Sequence, residues 1–177
     1  MGSPLQNFPN NPTSLPRMRN EILQTVNNGV TSVIAARGVP FVTSGTAENV
    51  GIVRFTLPAG WLERSGDGIE FDIWGVNSAD ANAKTVTIGF GAAGTLAHTV
   101  TGSGAAWRIQ GKIVRMGTDV QRAMSTLIVT ATPSLVAGSF TEDDGVAITV
   151  DLAATAATAG TVTINGAVFS QLRGPRG

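Results

Sequence analysis

The stretch Gly68-Ile69-Glu70-Phe71-Asp72-Ile73-Trp74-Gly75, followed by Lys84-Thr85-Val86-Thr87-Ile88-Gly89-Phe90-Gly91, decides the fold class. In each run apolar and polar residues alternate, with Ile69, Phe71 and Ile73 on one side and Glu70 and Asp72 on the other. A period of two places alternate side chains on opposite faces of a strand, so each run reads as a strand with one buried face. The pattern continues in both directions. Val53, Phe55 and Leu57 precede it; Trp107, Ile109 and Ile113, Leu127 and Val129, Val146 to Leu152, and Val162, Ile164 and Val168 follow. Between the runs lie Ser65-Gly66-Asp67-Gly68, Gly91-Ala92-Ala93-Gly94, Thr101-Gly102-Ser103-Gly104, Asp143-Asp144-Gly145 and Ala159-Gly160, all turn-forming. Many strands with glycine turns and no intervening helix predict an all-β antiparallel sandwich. About eight or nine strands in roughly 140 residues fit a two-sheet jelly roll.

The N-terminal residues 1–28 read differently. Pro4, Pro9, Pro12 and Pro16 recur at short intervals with Asn7, Asn10 and Asn11 between them. Proline fixes φ and biases its predecessor away from helix, which predicts an extended arm. Pro16 to Asn27 carries the apolar stripe Ile22, Leu23 and Val26 and ends in Asn27-Asn28-Gly29, a short-helix pattern with a stop signal. The division is therefore an arm over 1–28 and a sandwich over 29–177. The arm's apolar side chains, Leu5, Phe8 and Leu15, are expected to dock on a neighbouring protein; folding back on its own domain is the alternative.

Composition narrows the chemistry. There is no cysteine, which removes thiol nucleophiles, disulfide scaffolds and cysteine-ligated zinc. Twelve Lys+Arg balance twelve Asp+Glu, so the excess positive charge of a nucleic-acid binder is missing. Charged residues are 14% of the chain, against about 25% in ordinary soluble domains. So sparse a charge offers little protection against association and predicts that much of the surface meets other protein. Neither a signal-peptide pattern nor a membrane-length apolar run is present, so no membrane partner is expected.

No constellation predicts catalysis, a cofactor or a metal. Gly89-Phe90-Gly91-Ala92-Ala93-Gly94 has the glycine spacing of a dinucleotide fingerprint. That fingerprint requires a strand followed by a helix, and here a strand follows, so the run reads as a hairpin turn. His98 is the sole histidine and reads as an ordinary strand position. Glu142-Asp143-Asp144-Gly145 lacks EF-hand ligand spacing and reads as a solvated turn, as do the loops of Asp67 and Asp80. Among the tryptophans, Trp107 is in phase with Ile109 and Ile113 and belongs to the core; Trp61 sits at a strand end. Trp74 and Val76 are in phase with Glu70 and Asp72 and point outward. An outward tryptophan lies under a loop, in a subunit interface, or forms a platform for a sugar. Phe169 is out of phase with Val168.

A family resemblance rests on particular residues. Phe55-Thr56-Leu57-Pro58-Ala59-Gly60, Gly68 to Gly75, and Asn77 to Ala83 leading into Lys84 to Gly91 resemble the jelly-roll virion proteins of tailed bacteriophages. In that group a Thr-Leu-Pro-Ala-Gly strand end precedes an outward-polar strand and a short Asn/Ala-rich turn. Ala105 to Met116 and Thr161 to Leu172 fit the same layout, so the resemblance spans about Val50 to Leu172. The arm lies outside it. The resemblance implies a non-enzymatic homotrimer on the outer surface of the phage particle. Its partner would be the major capsid protein or another virion protein, in a head-decoration, head-fibre or tail-fibre role. Capsid decoration, or cementing, is the leading expectation, because fibre proteins usually carry long shaft repeats and this chain has no internal repeat. A tail, baseplate or fibre component contacting the host surface is the alternative, as is a carbohydrate-binding module using Trp74 or Trp61. The residues expected to meet partners are Leu5, Phe8, Leu15, Trp74 and Val76.

Overall fold

A computed structural model describes residues 32–43, 48–80, 82–92, 94–156 and 161–175. The predicted arm contacts of Leu5, Phe8 and Leu15 and the helix over Pro16–Asn27 lie outside these residues. Among the described residues eleven strands follow one another: β1 (Val33–Arg37), β2 (Phe41–Val42), β3 (Asn49–Leu57), β4 (Gly68–Asn77), β5 (Lys84–Phe90), β6 (Gly94–Val100), β7 (Ala106–Gly117), β8 (Val120–Val129), β9 (Thr132–Phe140), β10 (Ile148–Ala156) and β11 (Val162–Leu172). They form two antiparallel sheets. The larger has the order β1-β11-β4-β7-β8-β9, with β2 also paired to β11, and the smaller has the order β3-β10-β5-β6. The all-β antiparallel sandwich expected from the alternation is the fold observed.

The interior is built by the side chains the alternation assigns to it. Ile69, Phe71 and Ile73 of β4, Trp107, Ile109 and Ile113 of β7, and Val86, Ile88 and Phe90 of β5 are all buried. Rings link the two sheets: Phe55 of β3 meets the Phe169 ring edge-on at 5.2 Å, and Phe90 stacks on Phe140 at 5.7 Å. Each such ring buries area worth about 1.5–3 kcal/mol, so these contacts register the sheets on one another.

Three expectations need correction. Val168 was expected to share the buried face of Val162 and Ile164, yet Ala167 and Phe169 are the buried residues and Val168 faces outward. A bulge between Ile164 and Gly166 opposite β4 is the cause, because one extra residue exchanges the faces of everything after it. The edge strand opposite is interrupted at the same level: β1 pairs with Ala167 to Ser170 and β2 with Thr163 and Ile164. Val146 was placed in the core but precedes β10 and is exposed. Strand β9 has no clear period of two, since Leu135 and Val136 are adjacent, and the alternation did not reveal it.

Candidate functional site

The outer face of the large sheet carries varied side chains around an open concavity. Register aligns its outward residues in transverse rows. Val168, Asp72, Gln110, Thr126 and Leu135 form one row, and Ser170, Glu70, Lys112, Met124 and Ala137 the next. Gly166, Trp74, Arg108, Ile128 and Pro133 form a third. Across β11, β4, β7 and β8 the first two rows line an open concavity of about 570 Å³. The third row flanks it beside Asp72.

Trp74 faces outward as its phase predicts and is 38% exposed. Its indole lies against the neighbouring strand at Gly166: a Cβ there would fall 2.2 Å from the ring's Cζ2. The glycine of the bulge is therefore what lets the ring rest on the sheet. On the other side, Arg108 Nε donates to Asp72 Oδ1 at 2.7 Å and Nη2 donates to Asp72 Oδ2. A two-pronged pair holds a guanidinium in one plane, and the carboxylate raises the Arg108 pKa further. Val76, the other residue expected at a partner surface, is half-buried between Ala106 and Thr163.

The remaining candidates face inward or fasten loops. His98 is buried in phase with Leu96 and Val100, and its Nε2 lies 2.8 Å from Ser125 Oγ of the facing sheet. Its Nδ1 has no partner. Burial lowers its pKa from 6.5 to about 4. The unfolded chain therefore takes up a proton near pH 6.5 that the fold refuses until about pH 4. Stability is full above the unfolded value and falls as the pH drops between the two. The expected loss is about 3 kcal/mol between pH 7 and pH 4. Urea titrations of wild type and His98→Gln at several pH values should show that extra slope in the wild type alone. Parallel pH profiles would reject it.

Two of the acidic loops hold a buried carboxylate, Asp144 and Asp67, where solvated turns were expected, while Asp143 is exposed as a solvated turn residue would be. Asp144 is buried and accepts hydrogen bonds from Arg115 Nε at 2.6 Å, Gln121 Nε2 at 2.7 Å and the Asp119 amide at 2.9 Å. Asp67 is buried and accepts from the amides of Glu63, Arg64 and Gly174. Lys84 is fully buried, with Nζ 2.5 Å from Asp80 Oδ1. That ammonium, followed by the Ser78 hydroxyl, holds Asp80 down to about 2. Each carboxylate is thus occupied by the protein's own donors. Among the described residues no three His, Asp or Glu side chains group as a metal site would need. Gly89 to Gly94 spans the end of β5, the turn and the start of β6, as expected. Trp61 is half-buried with the Arg173 guanidinium over its ring at 5.3 Å.

Comparison with known proteins is silent: no family model and no curated protein matches the chain. Trp74 was legible from its phase. Its partners Arg108 and Gly166 were not, because cross-strand register and the bulge bring them together. Leu135, 64% exposed beside 50% exposed Met124, was hidden in the unrecognised β9.

Proposed function

We propose that this chain is a non-enzymatic structural protein of a tailed-phage virion, a homotrimer that decorates the outer capsid surface and is held there by its N-terminal residues. Two features support the reading. The first is strand order: β1-β11-β4-β7 facing β3-β10-β5-β6 is a four-on-four arrangement in which the chain crosses repeatedly between sheets. We read it as a jelly roll with the β8–β9 hairpin added to one sheet.

The observation that carries the self-association is β9. Over Thr132 to Phe140 it contains no charged residue, and no further strand pairs with it among the described residues. Monomeric proteins usually blunt such an edge with charge or proline, because its open amides and carbonyls recruit other strands; here only Pro133, the second residue of the strand, does so, and Ser134 to Phe140 carry no such guard. Leu135 and Met124 add exposed apolar surface beside it. We place the subunit contact here rather than at Trp74 and Val76.

Light scattering at micromolar concentration is expected to give three times the 18.2 kDa chain mass. Leu135→Lys, which charges the edge, should give a folded monomer. A monomeric wild type would reject the trimer, and a trimeric Leu135→Lys would move the contact away from β9. Removal of Met1 to Pro16 should leave the trimer intact and abolish binding to expanded phage heads. Unchanged binding would mean that the arm is not the anchor.

A further inference from the structure

We propose that the outer face of β11, β4, β7 and β8 is a binding site for a neutral oligosaccharide, with Trp74 as its stacking platform. The inference goes beyond the structural role above and does not depend on the trimer.

Three observations converge. Trp74 lies with its indole against Gly166 and remains 38% exposed, so the sheet supports the ring while part of it stays open to solvent. An aromatic surface fixed in this way offers an apolar contact to the C–H face of a sugar with little ordering cost, because the ring is already placed. The concavity alongside measures about 570 Å³, within the roughly 300–1,000 Å³ of small-molecule sites. Its rim is rich in polar groups: Gln110 and Thr126 offer both donors and acceptors, and Glu70, Asp72 and Lys112 stand within the same two rows. Sugar hydroxyls donate and accept at once, so a mixed rim suits them.

Charge selects among ligands. Glu70 and Asp72 are matched by Lys112 and Arg108, and Asp72 is already engaged by Arg108. Arg122, in phase with Met124 on β8 and paired only with the neutral Ser139, adds one basic side chain, so the face carries three basic against two acidic groups, an excess too small for a polyanion such as nucleic acid and unfavourable for a cation. An apolar protein segment would leave the Glu70, Gln110 and Lys112 side chains to be desolvated without compensation, a cost a polyhydroxyl ligand avoids.

The experiment titrates the full-length protein with maltohexaose, cellohexaose and mannohexaose, with heparin as the polyanion control. The three indole N–H resonances report each tryptophan separately, and Trp74→Phe assigns the one of interest. A saturable shift of the Trp74 resonance with at least one neutral oligosaccharide, weakened roughly tenfold or more in Trp74→Ala, is the expected result. Gln110→Ala should weaken it too, while far-UV circular dichroism stays unchanged in both variants. Gly166→Ala, which displaces the ring but keeps the indole, should reduce affinity as well. The proposal is overturned if none of the three sugars shifts Trp74, if Trp74→Ala binds as wild type does, or if only heparin binds. It is equally overturned if Trp74→Ala loses no sugar binding but dissociates the oligomer, which would make Trp74 a subunit contact.

Discussion

Gly75→Ala is expected to lower the thermal midpoint by roughly 6–12 °C. Gly75 sits towards the C-terminal end of β4, paired on both sides, with β11 and with β7. A Cβ there would lie 2.0 Å from the Thr163 carbonyl oxygen and 2.5 Å from Cζ2 of Trp107. Neither neighbour can yield cheaply. The carbonyl belongs to the backbone of the paired strand, and Trp107 is buried in the interior at 3% exposure. Relief requires parting β4 from β11 or expelling an indole from the core. Overpacking of this kind costs about 3 kcal/mol or more. Gly38→Ala is the control: nothing lies within 4 Å of its Cβ position, so its midpoint should stay close to wild type. Differential scanning calorimetry of the two variants checks the claim, and a Gly75→Ala protein melting with Gly38→Ala would refute it.

Asp144→Ala is expected to cost about 3–5 kcal/mol, the range for removing one partner of a buried charged pair. Asp144 lies in the loop between β9 and β10 and reaches Arg115, Gln121 and the Asp119 amide, around the β7–β8 turn. Without it, Arg115 Nε, on a side chain 14% exposed, loses its carboxylate and the fully buried Gln121 amide loses one of two acceptors, while Arg115 Nη1 keeps the Glu63 carbonyl. Gln121 keeps its bonds with the Glu142 backbone, so the loop stays half tethered. Asp144→Asn preserves shape and one acceptor oxygen and should cost markedly less. Urea unfolding measures the loss, and limited proteolysis reports where it falls, with new cleavage expected between Phe140 and Ile148. A penalty below about 1 kcal/mol for the alanine variant would show that the three bonds contribute little net stability.

Local alternation carried the architecture a long way. Ile69 to Ile73, Val86 to Phe90 and Trp107 to Ile113 each declared a buried face, because a two-sheet interior admits every second residue of a strand and water takes the rest. The same period sets Trp74 outward and Trp107 inward. It could not find β9, an edge strand whose exposed side tolerates leucine and alanine. Nor could it place Phe169, because the bulge before Gly166 is a property of strand pairing, and it inverts the phase of every residue that follows. The acidic loops failed for a related reason. Whether Asp67 and Asp144 meet water or protein depends on donors remote in sequence, namely Gly174 for one and Arg115 with Gln121 for the other. The sandwich, its inward residues and the outward tryptophan were thus determined by the sequence alone, through periodicity. The rows that set Trp74 beside Gly166 and Arg108, and the buried carboxylate that fastens the β9–β10 loop, were decided by tertiary structure, because only pairing register brings residues so far apart in the chain into contact.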